Sequence, residues 1–312
     1  MKDSSTTADK KIKKSSKLGS RNNLVAYSFI LPNFIGFAIF TLVPMIFSLV
    51  LSFAKWKGTG KIEFVWLDNF TRLFRDEAFI RALFNTVIYT LFTVPGTMVA
   101  ALALAMLLNS KIKARNLFRT VYFFPYVASL VAVATVWRFM FSPQVGPINM
   151  LLSQIMAEGS TMPAWTSAPG PAMFLVVFFS VWKNMGYYMV IYLAGLQNVN
   201  TELYESAALD GANDWQRFKH VTIPQISPTT FFVLMMLVIS SFKAYDIFLN
   251  LFAGGDNQLS SSTRVIVYQI YNTAFRGLDY GYASAMSIIL FLIVLIVTLV
   301  QFKGEKKYGS GQ

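Results

Sequence analysis

Long apolar runs alternate along this chain with short basic stretches. Asn22–Ala54 carries no charged residue, and its core, Leu24–Phe53, predicts a first membrane span. A membrane helix takes about 20 apolar residues. On that measure the charge-free run Ala82–Ser110 predicts a second span over residues 86–108, and Thr120–Trp137 a third, with Arg138 near its end. Pro171–Gly195 predicts a fourth, interrupted by Lys183; Thr229–Phe252 a fifth, interrupted by Lys243 and Asp246; and Tyr280–Phe302 a sixth. The pattern reads as an all-α integral membrane protein with six transmembrane helices.

The expected organisation is a basic, disordered cytoplasmic tail over 1–22, a first transmembrane helix over 23–54, and an external amphipathic segment over 55–85. The transmembrane core follows at 86–302, containing a cytoplasmic loop at 197–227, and a cytoplasmic tail closes the chain at 303–312. A cleaved signal peptide would have half the apolar length of the first run and a small-x-small cleavage site, so this run is read as retained. In the external segment, Phe70, Leu73, Phe74, Phe79, Leu83 and Phe84 recur at near-helical spacing within Asp68–Asn85. That spacing predicts an amphipathic helix lying at the outer interface.

Composition agrees. The 312 residues are 55% hydrophobic and 13% charged, with mean hydropathy +0.50, whereas soluble domains carry about 25% charged residues. No cysteine is present, which excludes disulfides, cysteine-zinc sites and thiol catalysis. The lone histidine, His220, removes most metal-site and Ser-His-Asp chemistry. Lys and Arg outnumber Asp and Glu 27 to 15, but the surplus lies between apolar runs, so no nucleic-acid face is expected. Basic residues on cytoplasmic loops orient membrane proteins. The two tails and the loops near 110–119 and 196–227 hold 16 of them, against nine on the other side. Both termini are therefore expected in the cytoplasm.

The loop 197–227 is far longer than a connection requires. Asn200 or Thr201 can cap a helix whose first turns hold Glu202 and Glu205, where the dipole favours anions. Gly211 stands at a C-terminal left-handed position. Asn213 can cap a second short helix from Asp214, presenting Trp215, Phe218 and Val221 in one stripe, with Pro224 and Pro228 stopping it. Such a pair either docks into a partner or lies on the membrane surface.

The run Tyr204-Glu205-Ser206-Ala207-Ala208-Leu209-Asp210-Gly211-Ala212, followed nine residues after Gly211 by Val221-Thr222-Ile223-Pro224, resembles the EAA loop of ABC-importer permeases. Ser206 replaces that signature's first Ala, small for small. Further phrases resemble the carbohydrate-uptake, maltose-permease-like branch. These are Leu67-Asp68-Asn69-Phe70, Phe124-Pro125-Tyr126, Val181-Trp182-Lys183, Leu193-Ala194-Gly195-Leu196-Gln197 and Tyr280-Gly281-Tyr282-Ala283-Ser284-Ala285. Phe252-Ala253-Gly254-Gly255 also matches, although Asp256 stands where that branch often has Pro.

The resemblance implies a type I ABC importer permease fold in the inner (cytoplasmic) membrane, surrounded by lipid. It implies a second, different permease subunit, two cytoplasmic ABC ATPase subunits and an extracytoplasmic solute-binding protein as partners. ATPase coupling would fall to Tyr204, Glu205, Ser206, Ala207, Asp210, Gly211, Ala212, Trp215, Phe218 and Pro224. The chain is expected to bind no cofactor itself, with ATP and Mg at the partner ATPase. Its own Gly58-Thr59-Gly60-Lys61 has Lys55 in place of the first Gly of a phosphate-binding loop and Ile62 in place of its Ser/Thr.

Charges within spans are the remaining chemistry. Lys or Asp near a membrane helix centre costs about 2.5–3.5 kcal/mol and normally faces the bundle interior or a water-filled cavity. Lys243 and Asp246, three apart, share a helical face and are expected to pair. They are read either as a structural ion pair or as a wall of the translocation path. Tyr126, Ser129, Asn184, Tyr187, Tyr188 and Ser241, beside Ser240, supply hydroxyl-compatible groups and stacking faces suited to a sugar; aromatic residues also mark membrane interfaces. In the maltose-permease type, solute contacts come from these same three spans. The function expected is a sugar (oligosaccharide) permease subunit, non-catalytic, or within the same branch a permease for glycerol phosphate or another polar solute. An ion-coupled secondary transporter is the reading from another class. It would need more intramembrane acid than Asp246 and an inverted repeat of broken helices.

Overall fold

The computed structural model describes residues 25, 27–110, 112–156, 161–252 and 261–308. The basic tail 1–22 and the Ala253-Gly254-Gly255-Asp256 phrase lie outside the described residues.

The first run folds as α1, Tyr27–Leu51, passing through a π-helical turn at Ala38–Leu42 just before Pro44. Almost all of it is exposed within this chain. A short ribbon follows, β1 Ala54–Lys55 antiparallel to β2 Glu63–Phe64, and leads into α2, Asp68–Leu73. Asn69 fastens the two: its side-chain amide donates to the carbonyls of Ser52 and Ala54, both at 2.9 Å.

The amphipathic stretch 68–85 is not one interfacial helix. It divides at Arg75-Asp76, where Asp76 caps α3 by accepting from the backbone N–H groups of Ala78 and Phe79. Part of its apolar stripe also turns inward, since Leu73 and Phe79 are buried against Ile266, Tyr282, Ala285 and Met286, whereas Phe74 and Phe84 stay exposed. The helix so capped, α3 (Glu77–Asn109), has 33 residues and is about 50 Å long, well beyond a membrane's apolar core. The boundary expected at 85/86 falls inside it. A change of composition there is not a change of structure.

The third span is broken. α4 (Arg115–Val127) and α5 (Leu130–Met140) meet at 93°. Pro125 lies in the last turn of α4, and Ala128 and Ser129 are extended, with ψ of 146° and 123°. After α6 (Pro147–Ile155), α7 runs unbroken from Pro169 to Gln197. The loop carries α8 (Thr201–Leu209) and α9 (Asp214–Gln225), and α9 turns by 66° at buried Ile226 into α10, Ser227–Phe242.

The fifth span is broken as well. α10 stops at Phe242, and α11 (Asp246–Phe252) starts afresh after three residues. Sixteen residues reach about 24 Å, short of a full crossing. The chain continues through α12 (Ile266–Tyr271), a π-helical turn at Asn272–Arg276 and α13, Tyr280–Tyr308. Among the described residues α1, α3, α7 and α13 are each long and apolar enough to cross a membrane, and the bent pairs bring the count to as many as six.

The packing explains where the breaks fall. Towards one end, Val94, Ala101 and Leu108 of α3, Tyr188, Tyr192 and Leu196 of α7, and Val233 and Leu237 of α10 form one core. Towards the other, Tyr89 of α3, Leu175, Val176 and Phe179 of α7, Trp137 of α5 and Phe248 and Leu251 of α11 form a second. The helices α3 and α7 run through both cores. The third and fifth spans change helix between them.

Candidate solute path and coupling face

Several polar residues of α4, α7 and α10 lie near the junction of the two cores, with Tyr188 inside the first of them. Tyr126, at the end of α4, lays its ring on Tyr187 of α7, with centroids 4.4 Å apart and planes 14° from parallel. Tyr188 meets Tyr187 edge-on at 5.0 Å. Tyr126 keeps 39% of its surface and Tyr187 is half-buried, whereas Tyr188 and Ser241 are buried. Ser129 opens α5 with its side chain exposed and not used as a cap. Asn184 donates back to the Ser180 carbonyl at 2.8 Å, leaving its amide oxygen for another donor. Stacked rings edged by hydroxyl and amide groups are what a flat, hydroxyl-rich solute needs.

Two backbones approach closely at this junction. A side chain at Gly186 would collide with the Tyr122 carbonyl of α4, so only glycine lets α4 and α7 come so near. One turn earlier on α7, Lys183 is buried, and its Nζ donates to the carbonyls of Pro125 at 2.8 Å, Ala128 at 3.1 Å and Tyr126 at 3.4 Å. The sequence marks Lys183, like Lys243 and Asp246, as an intramembrane charge that is either structural or part of the path, without naming its partners, and it does not single out Gly186. Neither acceptors on another helix nor a backbone contact leaves a trace in local pattern.

The expected Lys243–Asp246 pair does not form. The residues lie on either side of the break between α10 and α11, both exposed, and neither belongs to an ion pair among the described residues. Spacing of three implies a shared face only while the helix continues, and here it has ended at Phe242.

The loop 197–227 folds as a cap-and-turn unit. Asn200 caps α8 by accepting from the Glu202 N–H at 3.0 Å. Gly211 holds φ of 78°, and the Gly211 and Ala212 N–H groups bond the Ala208 and Ala207 carbonyls at 3.1 and 2.9 Å. Two such bonds after a left-handed glycine form the Schellman ending. Asn213 and Gln216 exchange reciprocal side-chain bonds, a complete capping box for α9. Across the angle, the hydroxyls of Tyr204 and Thr222 lie 2.9 Å apart and tie α8 to α9.

On the open side of this unit Leu209 is 90% exposed and Trp215 68%, the latter 5.5 Å from Phe218. Glu205, Ser206, Asp210 and Pro224 are exposed too, and Ala207 and Ala212 are half-buried. His220 reaches the Gln216 carbonyl at 3.1 Å on an exposed face. No cluster of three His, Cys, Asp or Glu able to hold a metal occurs among the described residues.

Comparison with known proteins gives this arrangement relatives. The family described as the binding-protein-dependent transport system inner membrane component matches residues 70–308. The chain is 36% identical over 292 residues to the probable ABC transporter permease protein YesP of Bacillus subtilis (strain 168), covering 93% of each. It is 34% identical over 287 residues to the sn-glycerol-3-phosphate transport system permease protein UgpA of Pectobacterium atrosepticum, covering 91% of this chain and 94% of that one. Its fold is similar to a chain of a bacterial alginate ABC transporter solved with an alginate pentasaccharide-bound periplasmic protein. That match has TM-score 0.79 and 26% identity, and covers 92% of this chain and 96% of that one.

Proposed function

The chain belongs to the family of binding-protein-dependent transport system inner membrane components, and from that premise we propose that it forms half of the solute pathway of a sugar importer. It is a membrane permease of a binding-protein-dependent ABC importer. The finer reading takes an oligosaccharide as the solute and adds a second, different permease subunit. A solute-binding protein delivers from outside, and two cytoplasmic ATPase subunits bind ATP and Mg. The stacked Tyr126–Tyr187 pair carries the sugar reading, because an exposed aromatic face edged by hydrogen-bonding groups is costly in lipid and useful to a pyranose.

In this reading Tyr126, Ser129, Asn184, Tyr187, Tyr188 and Ser241 line the path, and Lys243 and Asp246 flank it as separate charges. The unit from Tyr204 to Pro224 seats in the ATPase, with Leu209, Trp215 and Phe218 as its apolar contacts. Both termini lie in the cytoplasm.

Uptake by cells that depend on this chain tests the solute, with radiolabelled maltooligosaccharide, alginate oligosaccharide and sn-glycerol 3-phosphate as probes. Chain-dependent uptake of either oligosaccharide supports the reading. Uptake of sn-glycerol 3-phosphate alone selects the second reading, which the likeness to UgpA favours. For the coupling unit, Gly211→Pro and Glu205→Lys should abolish transport and weaken ATPase association while leaving membrane insertion intact. Co-purification at the unaltered level in both would remove the loop from that role. Single cysteines near Gly60 or Ser261 should label from outside with an impermeant thiol reagent and one near Asp214 should not; the reverse pattern inverts the topology.

A further inference from the structure

Lys183 lies in the middle of an apolar helix and makes no ion pair among the described residues: its three hydrogen bonds all go to backbone carbonyls of one short stretch, Pro125, Tyr126 and Ala128. Those carbonyls need donors. In a continuous helix the Pro125 and Tyr126 oxygens would accept from N–H groups four residues on, but Ala128 and Ser129 are extended and carry those groups away. A carbonyl left unpaired in a membrane interior is strongly unfavourable, and broken helices persist there only where something else bonds the freed groups. An ammonium has three N–H donors on one atom, and three carbonyls converge on it here. No other side chain on this face of α7 offers three donors at one point.

The position of the clamp matters as much as its chemistry. Tyr126 is at once the residue whose carbonyl Lys183 holds and the residue whose ring lies on Tyr187, one turn further along α7. Gly186, between them, admits the Tyr122 carbonyl of the same helix. Three points on one face of α7 thus fix the end of α4 in place.

We propose that Lys183 is the positioning residue of the solute path, holding the broken third span open so that the Tyr126 ring stays on Tyr187. It does so without touching solute, because all three of its N–H groups are spent on the break. This rests on reading the Tyr126–Tyr187 face as part of the path, but it is tested without any solute.

The natural chain has no cysteine, so Tyr126→Cys with Tyr187→Cys provides the only thiol pair within this chain, and the cross-link is read inside this chain after its purification from the assembled complex. A short bis-methanethiosulfonate cross-linker then reports whether the end of α4 sits against α7. With Lys183 intact the pair should cross-link efficiently. Lys183→Met, which matches its length without donors, should lower the yield about tenfold, as expected from losing charge-assisted hydrogen bonds. Lys183→Arg, which keeps the charge and the donors, should retain most of it.

Complex yield and melting temperature are followed in parallel. A role in packing alone would reduce the amount of complex but leave cross-linking unchanged in what survives, and that result overturns the proposal. Should the Met variant fail to accumulate, Lys183→Gln decides. With two N–H donors it should cross-link at a level between Met and the natural residue, and a yield equal to the natural one overturns the proposal. Failure of the transport reading would show in uptake and leave the cross-linking pattern as stated.

Discussion

Two apolar runs of this chain, each expected to form one span, are broken, and they break differently. The third span turns by 93° around Ala128-Ser129, and its freed carbonyls are taken by Lys183 from the neighbouring helix. The fifth stops at Phe242 and restarts at Asp246, and its charged residues, Lys243 and Asp246, remain exposed and unpaired with each other. One break is closed internally by this chain's own side chain. The other leaves its two charged residues exposed and outside any ion pair among the described residues. A lysine in an apolar run therefore carries no fixed meaning: Lys183 bonds the broken third span, whereas Lys243 is exposed and makes no ion pair among the described residues.

Substitutions at the two breaks should separate accordingly. The largest effect is expected for Gly186→Ala, which sets a methyl group against the Tyr122 carbonyl and drives α4 off α7. Overpacking of this kind costs about 1–3 kcal/mol or more, read as lost folded complex and a lower melting temperature. Lys183→Met should follow at about 2–3 kcal/mol, allowing for some relaxation around the orphaned carbonyls. Lys243→Met should leave the melting temperature unchanged or raise it, since an unpaired membrane charge is removed. Equal destabilisation by the two lysine substitutions would erase the contrast.

Asp246→Asn should likewise spare folding, within about 0.5 kcal/mol, while altering uptake in cells. Normal uptake with Asp246→Asn would take that carboxylate off the path. The smallest effect is expected for Asn213→Ala in the capping box, at about 1 kcal/mol, confined to local protection of 213–225 from hydrogen exchange.

What could be read from sequence follows the same division. Four long apolar helices, α1, α3, α7 and α13, were legible because a charge-free run of adequate length has few other uses, and the helix pair at 201–225 was legible from its caps: Asn200, Gly211 and Asn213 all act as their types suggest. The breaks were not. Thr120–Trp137 and Thr229–Phe252 each have the composition of one helix, and Pro125 alone permits a kink without requiring a right angle. The information lies on α7, in Lys183 and Gly186, far along the chain from the backbone they hold. The inward seating of Leu73 and Phe79 was hidden in the same way, since an apolar stripe does not say whether lipid or protein covers it.

The clamp on the third span has an electrical side. The Lys183 Nζ, ringed by three carbonyls, sits midway along α7, fourteen residues from either end, and its ammonium form places a positive charge there. At about 10 Å and an effective dielectric of about 20, such a charge repels a monovalent cation by about 1.7 kcal/mol, which thins cations locally about fifteenfold. A pathway that must pass a polar solute without short-circuiting the membrane gains from that field, and hydronium and sodium are the ions it opposes. Removing the charge in Lys183→Met should raise the proton and sodium leak of vesicles containing the complex.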